Sequence, residues 1–206
     1  MCGIIFWKEV IAMTENKCAK KRIFWIAVPA LLLPYLTLLT LATIFLSTTV
    51  PFFKWVMEVV FCSNALYLIA AFLICCFVVA VFSVVCFFVS IYKKWDCVSL
   101  ARLFMIVKLI QIPAYVLIFV LGVFMAITVF TIPFSIALFL FDCFSLALTG
   151  IGVVSAAINA IRQGVSTPKQ LFWLVIAQFV FCVDVIAAIV IYLKLKKLKK
   201  AKAYVN

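Results

Sequence analysis

The 206-residue chain contains no histidine, only five glycines and only six acidic residues. Without an imidazole it can build no Ser-His-Asp triad, no H-E-x-x-H zinc site and no histidine-ligated haem. The glycines are too few and too scattered for a phosphate-cradling loop, and the repeated-aspartate pattern of phosphoalcohol transferases is absent. There is no C-x-x-C among the nine cysteines, most of which sit inside apolar runs, so they read as small packing residues and not as a disulfide framework or a metal site. Cys75, Cys86 and Cys97 recur every eleven residues, and they share a face only if one helix continues past Lys93 and Lys94.

What is present is hydrocarbon. The chain is 70% hydrophobic and 12% charged, and charge-free runs cover 23–53, 59–92, 109–141 and 143–161. A bilayer core takes about 20 apolar residues per helix, so each run spans or nearly spans a membrane. The expected fold class is therefore all-α, a polytopic integral membrane helix bundle of about five transmembrane helices with almost no soluble domain. Trp25, Trp55, Tyr92, Trp95, Trp173 and Tyr192 punctuate the runs as interfacial aromatics do.

The spans are expected at about 23–49, 62–92, 104–130, 134–161 and 171–193, preceded by a basic cytoplasmic segment 1–22 and followed by a Lys-rich tail 194–206. The second is long enough to tilt or to begin as an interfacial segment. Pro133 places a hairpin near 131–134, because it lacks an N–H and drives Ile132 out of helical geometry. Pro29, Pro34 and Pro113 are expected to kink their helices, with a re-entrant first span as the alternative. The first apolar run is too long for a secretory signal and lacks an A-x-A-like site, which makes it a retained anchor. Residues 1–12 are too short to span, and Met13 is an alternative start.

Basic residues of short loops favour the cytoplasm. A cytoplasmic N terminus collects Lys8, Lys17, Lys20, Lys21, Arg22, Lys93, Lys94, Arg102, Lys108, Arg162 and Lys169 inside, with only Lys54 in the loop before Trp55. Five spans then export the lysines of the tail, against the rule. If that tail is cytoplasmic, Lys194, Lys196, Lys197, Lys199, Lys200 and Lys202 become contacts for anionic lipid headgroups. The net charge of +12 lies at span ends and not in a folded patch, which argues against a nucleic-acid partner. Lysine far in excess of arginine and the Phe-rich spans point to a plasma membrane, specifically a bacterial cytoplasmic membrane.

Two acidic residues fall inside spans, Asp142 and Asp184, where an ionised side chain costs at least about 2.5–3.5 kcal/mol. Counted from Phe134 and from Leu193, both lie about 12–14 Å from one membrane face, so they are expected to share a layer and to hold a proton or a cation between them. The fourth span carries Asp142, Ser145, Thr149, Gly152, Ala156 and Asn159 at alternating steps of three and four, a face that lets helices approach closely. On the fifth, Ala177, Asp184 and Ala188 share a face while Gln178 points away. The third offers Lys108, Gln111, Tyr115, Gly122 and Met125, and the second Asn64, Tyr67 and Ala71.

The flanks of the two aspartates, LFDCF and CVDVI, lack the Tyr-Asp and Gly-x-Gly-Asp patterns of intramembrane aspartyl proteases. The sequence thus predicts a non-enzymatic membrane protein without cofactor or metal. It would act through helix packing with itself or a membrane partner, using the face from Ser145 to Asn159. The alternative is a small proton- or cation-coupled transporter centred on Asp142 and Asp184.

Overall fold

The computed structural model describes residues 27–127, 131–180 and 183–205. The expected cytoplasmic segment 1–22, the alternative start at Met13, Trp25 and the first residues of the first span lie outside them. The described elements are helices α1 (Ala27–Leu46), α2 (Pro51–Val59), α3 (Ala65–Tyr92), α4 (Cys97–Ala126), α5 (Ile132–Arg162), α6 (Pro168–Ile176), a 3-10 turn (Ala177–Phe179) and α7 (Val183–Val205). Four of these, α1, α3, α4 and α5, are long and apolar enough to cross a bilayer. The chain is an all-α membrane helix bundle.

Local chemistry sets the helix starts. Prolines occupy the first turns of α2, α5 and α6, where a missing N–H costs nothing. Asn64 caps α3 by accepting from Leu66 N at 2.9 Å, and Asp96 caps α4 by accepting from Ser99 N at 3.0 Å and Ser99 Oγ at 2.7 Å. The third span thus begins seven residues earlier than its hydropathy suggested. Pro133 opens α5 and does not lie in the turn, so the hairpin falls before it. Between α2 and α3, Cys62 and Ser63 take positive φ values, and α3 itself is one continuous helix of 28 residues.

Pro29 and Pro34 lie within the continuous α1, and Pro113 within α4. Around Pro113 the α4 backbone is served from α1, whose Tyr35 OH donates to Ile110 O at 2.5 Å. Gln111 Nε2 returns a bond to Ala30 O at 2.7 Å. The far halves of the same two helices, Leu38 to Leu46 and Leu121 to Met125, face one another across a groove, so α1 and α4 run in parallel.

Helices α4 and α5 are antiparallel. Ser135 Oγ donates to Gly122 O at 2.8 Å near one end, while Phe104 packs on Gly152 toward the other. The end of α5 comes back to the α3–α4 turn, where Arg162 Nη1 donates to Ile91 O at 2.9 Å and Gln163 Nε2 to Trp95 O at 2.8 Å. Since α3 ends at Tyr92, Cys97 opens a different helix and the eleven-residue cysteine spacing marks no common face.

The expected fifth span is not one helix. From the end that holds the α3–α4 turn, α6 enters for nine residues, the chain turns over Ala177–Phe179, and α7 comes back. Lys194 Nζ reaches Gln170 O at 2.8 Å, which sets the α7 exit level with the α6 entry. The segment is a helical hairpin. One apolar cluster holds it against α4 and α5: Leu171, Ile191 and Leu195 pack with Leu100, Phe104, Val153 and Ala157. A second cluster, Leu33, Phe72, Cys76 and Leu148, joins α1, α3 and α5.

The hairpin resolves the charge conflict of a five-span chain. Lys93, Lys94, Arg162, Lys169 and the tail lysines gather at one end of the bundle, and the opposite end carries Lys54, paired with Glu58 at 3.9 Å.

Candidate intramembrane polar site

Residues 108, 111 and 115 form one stripe on α4, and 142, 145 and 149 form one on α5; the α4–α5 packing turns both stripes inward. Lys108 is fully buried, and its Nζ donates to Asp184 Oδ2 at 2.8 Å. Asp184 sits in the first turn of α7, about 15 Å from the level of Lys194, so the ammonium and the positive end of the α7 dipole both act on it. This is why a carboxylate stands there. It anchors the hairpin where the backbone has to reverse, at a depth where irregular chain is tolerated only inside protein.

Next along α4, Tyr115 OH lies 3.1 Å from Ser145 Oγ and donates to Gln111 Oε1 at 3.3 Å, and Gln111 continues to Ala30 O. Thr149 Oγ1 donates to Leu146 O at 3.0 Å, and Ser155 Oγ to Gly152 O at 2.7 Å. The hydroxyls of α5 are thus satisfied inside the bundle, largely by their own helix.

Asp142 differs. It is only 6% exposed, and the structure gives it no hydrogen bond or ion pair among the described residues. It borders a small groove of about 160 Å³, with Gly122 and Ser135 on the walls. Among the described residues, Asn159 Oδ1 and Gln178 Oε1 are fully buried oxygens without a partner.

The two aspartates do not share a layer measured from one face. Leu193 lies at the opposite end of the bundle from Phe134, so the two counts start from opposite ends. The α4–α5 register puts Asp142 across from the turn of Tyr115, about 10 Å along α4 from Lys108. The partner of Asp184 is Lys108, which as a cation beside an apolar run is expected at the cytoplasmic surface and instead lies inside the bundle. Its stripe with Gln111 and Tyr115 was the signal that it belongs inside.

Ser145, Thr149, Gly152, Ala156 and Asn159 are buried within the chain. A Cβ on Gly152 would sit 2.1 Å from the Phe104 ring, and Asn159 Nδ2 donates to Ser90 O at 3.1 Å. Gly150 receives the hairpin tip, with Phe179 Cε1 3.3 Å from where its Cβ would lie. This is a packing face, spent on α3, α4 and the hairpin. Gln178, expected to point away, is fully buried at that tip.

Part of the Lys-rich tail is docked. Lys199 pairs with Asp96, Lys202 Nζ donates to Gln163 O at 2.9 Å and to Gly164 O at 3.3 Å, and Lys196 stands 5.8 Å over the Tyr192 ring. Lys197 and Lys200 are exposed, with no such partner among the described residues. Half burial acts to raise the Asp96 pKa, but hydrogen bonds from Lys199 and Ser99 outweigh it and hold the carboxyl below its ordinary value.

Comparison of the chain with protein-family models, with curated proteins and with solved structures finds no match.

Proposed function

We propose that this multi-pass membrane protein is a non-enzymatic carrier that takes up a proton or a small cation at Asp142. The observation that supports this reading is the contrast between the two intramembrane carboxylates. Asp184 is compensated by Lys108, whereas Asp142 is buried with no ion pair or hydrogen bond among the described residues. A carboxylate so placed is stable only when it holds a proton or a cation, and alternation between loaded and empty forms is what coupled transport needs. The positive-inside rule puts the basic end in the cytoplasm, with Lys196, Lys197 and Lys200 turned to anionic headgroups of a plasma membrane.

The alternative, in which the α5 face packs against a second copy or a membrane partner, is less well supported because that face is used within the chain. Association would have to use another surface, such as the outward side of α3, where Phe77 and Phe88 are exposed.

The test is proton flux in sealed vesicles containing the purified protein and an internal pH-sensitive dye. Wild type should dissipate an imposed gradient, and Asp142→Asn should lose at least about tenfold of that rate, an increase in barrier of about 1.4 kcal/mol or more. Asp142→Glu should retain part of it. Equal flux in wild type and Asp142→Asn, or none in either, rejects the reading.

A further inference from the structure

Asp142 and the Lys108–Asp184 pair have separate openings. Asp142 borders the groove of about 160 Å³, while Asp184 and Tyr115 border another of about 620 Å³, within the size range of ligand sites. Phe119 lines both and stands between them. One hydroxyl contact between α4 and α5 lies beside this partition. Ser145 is one helical turn from Asp142, its hydroxyl meets Tyr115 OH at 3.1 Å, and Tyr115 shares its groove with Asp184.

We propose that Asp142 and Asp184 are two stations of one proton path, joined by the Ser145 and Tyr115 hydroxyls, with Phe119 separating their openings. The proposal rests on the reading of Asp142 as the group that is loaded.

The transfer balances within the bundle. The carboxylic acid of Asp142 gives up its proton, each hydroxyl accepts one at oxygen as it releases its own, and water entering the two grooves carries the proton from Asp142 to Ser145 and from Tyr115 to Asp184. The Asp184 carboxylate takes the last proton and becomes neutral. Asp142 is left as the anion, Lys108 keeps its proton, and the net charge of the three side chains is zero before and after. The consequence is mechanical: the ion pair that holds the start of α7 is exchanged for a neutral hydrogen bond, which frees the hairpin tip to move. Uptake at one groove is thereby linked to loosening at the other. The titratable groups that the α4–α5 register and the hairpin bring nearest to Asp142 are Tyr115 and Lys108 on α4 and Asp184 on α7.

Infrared difference spectroscopy of the full chain in lipid vesicles, titrated with acid, separates this proposal from the reading beneath it. In wild type the carboxyl band that vanishes in Asp142→Asn should change together with the carboxylate band that vanishes in Asp184→Asn. Tyr115→Phe keeps the ring and removes the relay oxygen, so it should leave the Asp142 band in place and abolish its coupling to Asp184. Ser145→Ala should do the same by removing the other hydroxyl. If coupling persists in both variants, the path is wrong while the loading of Asp142 stands. If wild type has no band sensitive to Asp142→Asn, the loading itself fails and the path goes with it.

Discussion

Lys108 Nζ donates to Asp184 Oδ2 at 2.8 Å across 76 residues of sequence, and both side chains are withdrawn from the surface. Removing one partner strands a buried charge, which costs about 3–5 kcal/mol, whereas replacing both by apolar groups of similar volume is close to neutral. Lys108→Met and Asp184→Leu should each lower thermal stability in detergent, and the double variant should recover most of the loss. Additive losses would show that the two charges act independently.

The α4–α5 contact depends on a missing methyl group. Gly152→Ala places a Cβ 2.1 Å from atoms of the Phe104 ring, and the backbone of two long helices has little freedom to yield. Overpacking of this kind costs about 1–3 kcal/mol. Thermal unfolding of Gly152→Ala should reveal it, and adding Phe104→Leu should restore part of the loss; a neutral Gly152→Ala would mean that the helices are less tightly joined.

Docking of the α7 extension is expected to depend on pH through Asp96. Its carboxyl lies below the ordinary value of 3.8, so its contribution is complete above that value and disappears as pH falls through the lowered one. The pair with Lys199 is partly exposed, so the effect on global stability is small and the local effect is the one to measure. A spin label on a cysteine placed at Ala201 should be immobile near neutral pH and gain mobility only in strong acid. In Asp96→Asn it should be mobile throughout. A label whose mobility ignores both changes would mean that Lys202 alone holds the tail.

Topology provides the most direct check of the hairpin. A reporter fused after Asn206 and one inserted at 93–96 should lie on the same side of sealed vesicles, and one inserted at 127–131 on the other. A five-span chain puts the first two on opposite sides, which would discard the hairpin and the Lys108–Asp184 pair together.

Much of this was legible in the residues. The four long apolar helices follow from runs that only a bilayer can accommodate, and the inward stripe from Asp142 to Asn159 follows from its helical spacing. Lys108 was harder to place. A lysine at the end of an apolar run looks like an interfacial cation, and only the Asp96 cap, which starts α4 eleven residues before it, moves Lys108 into the bundle. The fifth segment was harder still. Its 23 residues at 171–193 satisfy the length of a span, and hydropathy does not register a reversal of direction.

Composition and periodicity by themselves determined the solvent of this protein, its helical class and the inward face of α5, because burial in hydrocarbon requires apolar length and closed backbone hydrogen bonding whatever the partners. Tertiary structure alone decided that the last segment turns back, that among the described residues Asp184 is compensated and Asp142 is not, and that the tail lies with the other cations. Those outcomes depend on which side chain meets which across the bundle. Phe104 on Gly152 and the hairpin tip on Gly150 set that register, and residues so far apart in the chain carry no mark of it in their spacing.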